Sequence, residues 1–169
     1  MKIFFDMDGV LADFDKGIQK LDGVEIVDQA SRDEERTNRM WDAVKNKAHF
    51  YLNLDPIQEG LQLFQILYKE CPNDVEILSA QPAARRNILT AEQDKRDWCK
   101  KYLPKIPVNI TYRREKKNYA KGNILIDDYQ SNVDAWEEAG GIGILFTGKE
   151  DVLEKLRKLN ILNRVGGSD

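Results

Sequence analysis

The sequence predicts an α/β protein, with a doubly wound, mainly parallel five-stranded sheet in a Rossmann-like three-layer sandwich and a small helical cap inserted after the first strand. Short apolar runs of strand length alternate with longer segments in which apolar residues recur at helical spacing. Strands that alternate with helices pair in parallel, because each helix carries the chain back across the sheet. A long polar segment interrupts this alternation after the first strand and predicts the cap.

Five apolar runs are predicted to form the strands. They are Ile3–Phe5, Val75–Leu78, Ile106–Ile110, Ile124–Ile126 and Ile142–Phe146. Each run is too short for a stable helix and carries little charge, which is typical of strands buried on both faces of a sheet. The carboxyl ends of parallel strands meet at one edge of the sheet, where open α/β folds place their chemistry.

Helical patterns fill the connections between these strands. Apolar residues from Ile57 to Cys71 recur at helical spacing, with Asp55 as the predicted N-cap and Pro56 at the first helical position. Further helices are predicted from about Arg86 to Tyr102, from Ser131 to Ala139 and from about Lys149 to Leu159.

The interruption after the first strand defines the predicted domain organisation. Residues 1–14 and 54–169 are expected to form the core domain, and residues 15–53 the helical cap. An insertion at this point can cover a pocket at the sheet edge and exclude water from it. A solvated helical hairpin packed on the side of the core is the alternative.

Composition narrows the class of protein. The 169 residues are 41% hydrophobic and 33% charged, which is typical of a globular chain and not of a disordered one. The formal net charge of -3 favours neither a nucleic-acid polymer nor a membrane surface as a partner. Cys71 and Cys99 lie far apart and accompany no secretory segment, so we expect free thiols and a cytoplasmic location.

Polar side chains follow three of the predicted strands. Asp6 and Asp8 follow the first strand, and residues two apart in an extended chain project to the same side. Ser79 follows the second strand, and Asp127 and Asp128 follow the fourth. If these strands are neighbours, the four carboxylates converge on one edge and offer the hard oxygen ligands that Mg²⁺ prefers.

Each of these pieces alone has a simpler explanation. An Asp-x-Asp segment is often a turn, Asp127 and Asp128 can cap the following helix, and Ser79 can be an ordinary strand-end hydroxyl. The basic residues before the fourth strand can form a solvated face; they are Arg113, Arg114, Lys116, Lys117 and Lys121. Their combination in this order favours a phosphate-handling site.

The ordered set resembles the haloacid dehalogenase-like phosphohydrolase superfamily. Within it, the opening stretch Asp6-Met7-Asp8-Gly9-Val10-Leu11-Ala12-Asp13-Phe14 is similar to that of the 5'(3')-deoxyribonucleotidases. Further similar positions are Trp41, His49–Pro56, Asp94–Trp98 and Gly122–Asp128. The resemblance implies a Mg²⁺-dependent phosphomonoesterase that removes phosphate from nucleoside monophosphates through an aspartyl-phosphate.

The resemblance also implies roles for individual residues. Asp6 is the expected nucleophile and Asp8 the expected general acid and base. The expected metal ligands are Asp6, Asp8 through its backbone carbonyl, Asp127 and Asp128. The expected phosphate ligands are Ser79, Ala80 and Lys117, the last because the family has a lysine ten residues before the closing acid pair.

The leaving group is expected to be a nucleoside. In the family, aromatic side chains sandwich the base, which here makes Phe14, Trp41 and Phe50 the candidates. Ser79 is followed by Ala80-Gln81-Pro82 where these nucleotidases usually have Ser-Pro, so selectivity for a base or sugar is left open.

Two other functions use the same residue types. A phosphatase of the same fold can act on another small phosphate ester. A receiver-type phosphoacceptor domain also combines acids, a hydroxyl and a lysine, but it lacks the closing acid pair and the insertion. The oligomeric state, with a homodimer as one option, is left open, as are the roles of His49, Arg85, Arg86 and Lys95.

Overall fold

A computed structural model describes residues 1–162, so residues 163–169 of the predicted core domain lie outside the described part of the chain. It contains five parallel strands: β1 (Ile3–Phe5), β2 (Val75–Ala80), β3 (Val108–Thr111), β4 (Ile124–Asp127) and β5 (Ile142–Leu145). Their order is β3-β2-β1-β4-β5. The predicted fold class is therefore confirmed, and β1 lies between the two strands whose ends carry polar residues.

Helices connect the strands in the predicted alternation. The α-helices are α1 (Phe14–Gln19), α2 (Glu34–Asn46), α3 (Gln58–Glu70), α4 (Ala91–Tyr102), α5 (Gln130–Glu138) and α6 (Lys149–Lys158). Two 3₁₀ helices span Ala84–Arg86 and Arg113–Tyr119. No helix within residues 1–162 combines the length and apolar character needed to cross a bilayer.

The sheet separates two hydrophobic clusters. Ile3 and Phe5 of β1 belong to the larger cluster, whereas Phe4 belongs to a smaller one with Leu125 and Trp136. This division arises because successive side chains of a strand point to opposite faces of the sheet. The three-layer arrangement thus follows from apolar residues on both faces of β1.

The start of α3 differs from the prediction. Its N-cap is Ile57, and no side chain caps it. The carboxylate of Asp55 instead forms ion pairs with Lys16 at 2.9 Å and Lys20 at 2.7 Å, and Pro56 forms an isolated β-bridge with Ala12. The predicted cap was wrong because Asp55 ties the chain to the region around α1 rather than to the amides of α3.

The start of α4 is also later than predicted. The chain from Ala84 to Arg86 forms a 3₁₀ turn, which ends at Asn87 in the left-handed region with φ 52. The α-helix begins at Ala91, five residues after the predicted start at Arg86. Asparagine tolerates this backbone conformation better than most residues, and it separates the turn from the helix.

The segment 15–53 is anchored to the main body by its apolar residues. Ile18, Val44 and Tyr51 are buried in the same cluster as Ile3 and Phe5 of β1. The division of the chain at residues 14 and 54 stays a prediction. Cys71 and Cys99 are free thiols, as expected.

We expect Gly60→Ala to destabilise the fold by about 3 kcal/mol or more. A Cβ at Gly60 would overlap the carbonyl oxygen of Val10, and relief requires moving the loop that follows Asp8. Urea unfolding followed by circular dichroism measures the effect. Gly23→Ala is the control: it has open space but a φ of +71, so we expect a loss of only about 1 kcal/mol. Equal losses in the two variants would contradict this packing.

Candidate active site

The ends of β1 and β4 bring three carboxylates together. Because Phe5 pairs with Ile126, Asp6 just after β1 lies beside Asp127, the last residue of β4. Asp6, Asp127 and Asp128 each offer one oxygen, and these atoms all lie within 4.8 Å of one another. The structure thus assembles, at one edge of the sheet, the three residues that were predicted to bind the metal through their side chains.

A buried lysine lies against this group. The Nζ atom of Lys116 is 2.8 Å from Oδ1 of Asp6 and 2.8 Å from Oδ2 of Asp127, and the residue is only 3% exposed. An ammonium in this position offsets the repulsion between the two carboxylates. Burial tends to lower the pKa of Lys116, but the two carboxylates outweigh it and leave the pKa above its usual value.

Lys117, the expected phosphate ligand, lies elsewhere. Its side chain is exposed, and the neighbouring Lys116 takes the inward position. Both lysines belong to the 3₁₀ helix Arg113–Tyr119, in which adjacent residues are rotated by about 120°. Lys116, and not Lys117, therefore faces the carboxylates, because spacing along the sequence cannot decide which residue of such a turn faces the site; a lysine ligand for the phosphate stays a prediction.

Asp127 is held firmly by its neighbours. Its Oδ1 accepts hydrogen bonds from the amide of Tyr129 at 2.9 Å and from Asn132 at 3.1 Å. Its Oδ2 accepts from Lys116 at 2.8 Å and from Asn132 at 3.0 Å. Three donor groups, which make four hydrogen bonds, hold this buried carboxylate in a single orientation.

A second buried lysine organises the other half of the site. Lys95 is fully buried, and its Nζ donates to Oδ2 of Asp8 at 2.6 Å, to Oγ of Ser79 at 2.9 Å and to the carbonyl of Ala80 at 2.8 Å. An ammonium has three protons and no acceptor, so Ser79 accepts here and keeps its own hydroxyl proton free to donate. Sequence reasoning left the role of Lys95 open, although its segment was part of the resemblance.

Asp8 stands apart from the three clustered carboxylates. Its Oδ2 is engaged by Lys95, and its Oδ1 is buried without a hydrogen-bond partner among residues 1–162. The side chain of Asp8 is therefore not one of the grouped metal-ligand candidates. This leaves the expected backbone contact of Asp8 with the metal as a prediction.

Gly9 brings the loop after β1 against Asp128. Its φ of +80 lies in the region that favours glycine, and a Cβ there would overlap the carboxylate of Asp128. The missing side chain is what allows the last of the three carboxylates to approach the first two. The donor set contains only carboxylate oxygens, and it fits Mg²⁺ by the type of its ligands.

A cavity of about 650 Å³ opens above these residues. From the core it is lined by Asp6, Asp8, Ala80 and Lys116, and from the segment 15–53 by Trp41 and Tyr51 among others. Its volume is in the range typical of small-molecule sites. The elements that follow β1, β2 and β4 therefore share one binding space with the segment expected to form the cap.

Two of the three candidate base-binding aromatics line this cavity. Phe14 and Trp41 do so, with ring centroids 6.0 Å apart. Phe50 does not: it is buried behind Phe14, with its ring edge-on at 5.5 Å. Tyr51, the next residue, lines the cavity in its place, so Phe50 is corrected to a packing residue.

Two of the clustered carboxyls, those of Asp6 and Asp128, have a pKa above its ordinary value. Burial raises the pKa of Asp6 to about 7, Lys116 opposes the shift, and the charges of Asp127 and Asp8 add to it. The pKa of Asp128 is raised to about 8 by partial withdrawal from water and by the charges of Asp6, Asp127 and Asp8. Asp128 stays exposed to solvent, so screening reduces its shift. A divalent cation favours the ionised forms of such a group.

Arg85, Arg86 and His49, whose roles the sequence left open, differ in their position relative to the cavity. Arg85 and Arg86 line the cavity. His49 is not among the residues that line it; its side chain is 58% exposed, and its Nδ1 lies 2.8 Å from Oδ1 of the buried Asp94. His49 thus joins the end of the segment 15–53 to α4.

The family comparison agrees with this geometry. A family model described as 5' nucleotidase, deoxy (pyrimidine), cytosolic type C protein matches residues 1–157. The match confirms the resemblance to the 5'(3')-deoxyribonucleotidases. No curated protein matches the chain as a relative.

We expect the metal-free protein to lose stability as the pH rises from about 5 to about 8. The folded-state pKa of Asp6 is about 7, above its ordinary value of 3.8. A raised folded-state pKa contributes stability that is complete below the unfolded-state value and is lost as the pH rises through the folded-state value. The expected loss in the free energy of unfolding is on the order of 2 kcal/mol.

Thermal unfolding in EDTA across this pH range measures the loss. Asp6→Asn should flatten the dependence, whereas Asp22→Asn, at an exposed aspartate, should retain it. A stability that increases with pH in EDTA would show that these carboxyls are not strained when ionised.

Proposed function

The chain belongs to the 5' nucleotidase, deoxy (pyrimidine), cytosolic type C family, and on that premise we propose that it removes phosphate from nucleoside monophosphates with Mg²⁺ through an aspartyl-phosphate. The family activity makes it a phosphoric monoester hydrolase. The observation that carries the proposed mechanism is the grouping of Asp6, Asp127 and Asp128, with the buried Lys116 against the first two. The word cytosolic in the family description supports a cytoplasmic location.

Asp6 is the proposed nucleophile. In the first step a carboxylate oxygen of Asp6 bonds to phosphorus, and the bond from phosphorus to the nucleoside oxygen breaks. In the second step water attacks phosphorus, releases inorganic phosphate and regenerates the carboxylate. Lys116, 2.8 Å from Oδ1 of Asp6, keeps that side chain in place while the phosphoryl group moves.

Asp8 is the proposed general acid and base. It protonates the leaving nucleoside oxygen in the first step and takes a proton from the attacking water in the second. Lys95 holds Oδ2, so the unpartnered Oδ1 is the oxygen available to carry that proton. Proton transfer by a positioned group contributes roughly 10²- to 10⁴-fold to the rate.

Four side chains are proposed to hold the phosphate and its cation. Ser79 offers a free hydroxyl proton to a phosphate oxygen because Lys95 occupies its acceptor site. Asp6, Asp127 and Asp128 are the side chains that would hold Mg²⁺. When bound, Mg²⁺ neutralises phosphate charge and reduces repulsion between the substrate and these carboxylates.

The nucleoside is proposed to lie toward Phe14, Trp41 and Tyr51. These aromatic residues line the cavity, and each base offers a face on which an aromatic ring can stack. Another small phosphate ester is the alternative substrate. It would use the same phosphate site and gain nothing from these rings.

We expect Asp6→Asn to reduce turnover of nucleoside monophosphates by at least about 10⁴-fold, because the amide cannot act as the nucleophile. Asp8→Asn should slow both steps by roughly 10²- to 10⁴-fold. Steady-state phosphate release with Mg²⁺ or EDTA measures both effects, and mass spectrometry after acid quenching detects the phosphorylated chain. Asp22→Asn is the matched control. Phosphorylated chain in Asp6→Asn would rule out Asp6 as the attacking residue.

Trp41→Ala tests the nucleoside position. We expect the KM for a nucleoside monophosphate to rise roughly tenfold, since stacking contributes about 1–3 kcal/mol per base. The KM for glycerol phosphate, which has no base, should rise much less. Equal changes for the two esters would favour the alternative substrate class.

A further inference from the structure

Three arginines line the cavity that contains the catalytic aspartates: Arg85, Arg86 and Arg113. None of them forms an ion pair within the described residues 1–162. By contrast, Arg36, Arg39 and Arg96 each pair with a glutamate on the surface. Guanidinium groups that face a binding cavity without a carboxylate partner are suited to an anionic ligand.

The three arginines differ in how many donors remain free. Arg113 is the most heavily engaged: each of its three nitrogens donates to a neutral side chain, to Asn132 at 2.9 Å, to Gln29 at 2.6 Å and to Ser131 at 2.6 Å. Arg86 uses only Nη1, which donates to Asn38 at 2.6 Å. The side chain of Arg85 makes no hydrogen bond within the described part of the chain. Arg85 and Arg86 therefore keep more free donors than Arg113, since a guanidinium has five N–H groups.

These two residues lie in the connection that follows β2, a few residues after the proposed phosphate-binding end of that strand. Ala80 borders Lys95 beside the reacting carboxylates, and Gln81, Pro82 and Ala83 continue the cavity wall to Arg85. A ligand with one phosphate at Asp6 can follow this wall toward Arg85 and Arg86. The guanidinium of Arg86 also lies 5.9 Å from the Trp41 ring centroid, so Arg86 borders the proposed nucleoside position.

The local charges also favour an anion. Burial lowers the pKa of Arg86, and the neighbouring charge of Arg85 lowers it further. Asp42 opposes this shift but forms no ion pair with Arg86 in the described structure. An anion placed between two neighbouring guanidinium groups would relieve their repulsion.

We propose that Arg85 and Arg86 bind the second phosphate of a nucleoside 3',5'-bisphosphate whose first phosphate lies at Asp6. The chain then hydrolyses one phosphate ester and releases inorganic phosphate and a nucleoside monophosphate. This inference rests on the proposed function for the reaction, but the binding of two phosphates can be measured without it.

Binding to the Asp6→Asn chain with Mg²⁺, measured by calorimetry, tests the proposal. We expect a deoxynucleoside 3',5'-bisphosphate to bind at least about tenfold more tightly than either monophosphate. Arg85→Gln and Arg86→Gln, each added to that chain, should lower this ratio, and the double substitution should bring it near one. Equal affinities before these substitutions, or a ratio that survives the double substitution, would overturn the proposal.

Two controls separate the subsite from other effects. Asn38→Ala removes the partner of Arg86 but keeps both arginines, so the ratio should persist. Arg114→Gln removes an exposed arginine that is not among the cavity-lining residues, and it should also leave the ratio unchanged. If the arginine substitutions weaken all three nucleotides equally, the pair only attracts anions in general, and the proposal fails.

Failure of the proposed function gives a different result. In that case the unsubstituted chain hydrolyses no nucleoside monophosphate with Mg²⁺, whatever the affinity ratio on the Asp6→Asn chain. Failure of the second phosphate site leaves monophosphate hydrolysis in place and makes the affinities equal.

Discussion

The site depends on a buried ammonium between two carboxylates. Asp6 lies just after β1 and Asp127 at the end of the neighbouring β4, so the register of the sheet brings the two carboxylates together despite their like charges. Lys116, 2.8 Å from each carboxylate, stabilises this arrangement. Without a cationic partner, a buried carboxylate would stay protonated or would destabilise the fold. Burial, together with the charges of Asp127 and Asp8, still holds the pKa of Asp6 above its ordinary value although Lys116 opposes the shift. The remaining negative charge is what favours a divalent cation.

Two different buried lysines hold the first two aspartates, Asp6 and Asp8. Lys116 belongs to the group around Asp6, and Lys95 holds Asp8 together with Ser79. Because each lysine comes from a different connection of the sheet, the two carboxylates keep different partners although they are only two residues apart. This separation gives a structural basis for assigning the proposed attack on phosphorus to Asp6 and the proton transfer to Asp8.

Much of this arrangement could be predicted from local sequence. Strand-length apolar runs followed by acids predicted the fold class and the convergence of Asp6, Asp127 and Asp128. The errors concern side-chain direction: Lys117 instead of Lys116, Phe50 as a cavity residue, and Asp55 as a helix cap. In each case a neighbour distant in the sequence decided the direction, as when Lys16 and Lys20 engaged Asp55.

By itself the sequence determined which strands form, which carboxylates follow them and which family the motifs resemble, because these depend on hydrophobic pattern and residue order. Only the tertiary structure decided which lysines are buried, that Lys95 leaves the Ser79 proton free, and that Arg85 and Arg86 face the same cavity as Asp6. The physical reason is that burial, charge pairing and hydrogen-bond direction depend on distances between residues far apart in the chain. A difference of one residue in a 3₁₀ turn is enough to exchange a buried ammonium for a solvated one.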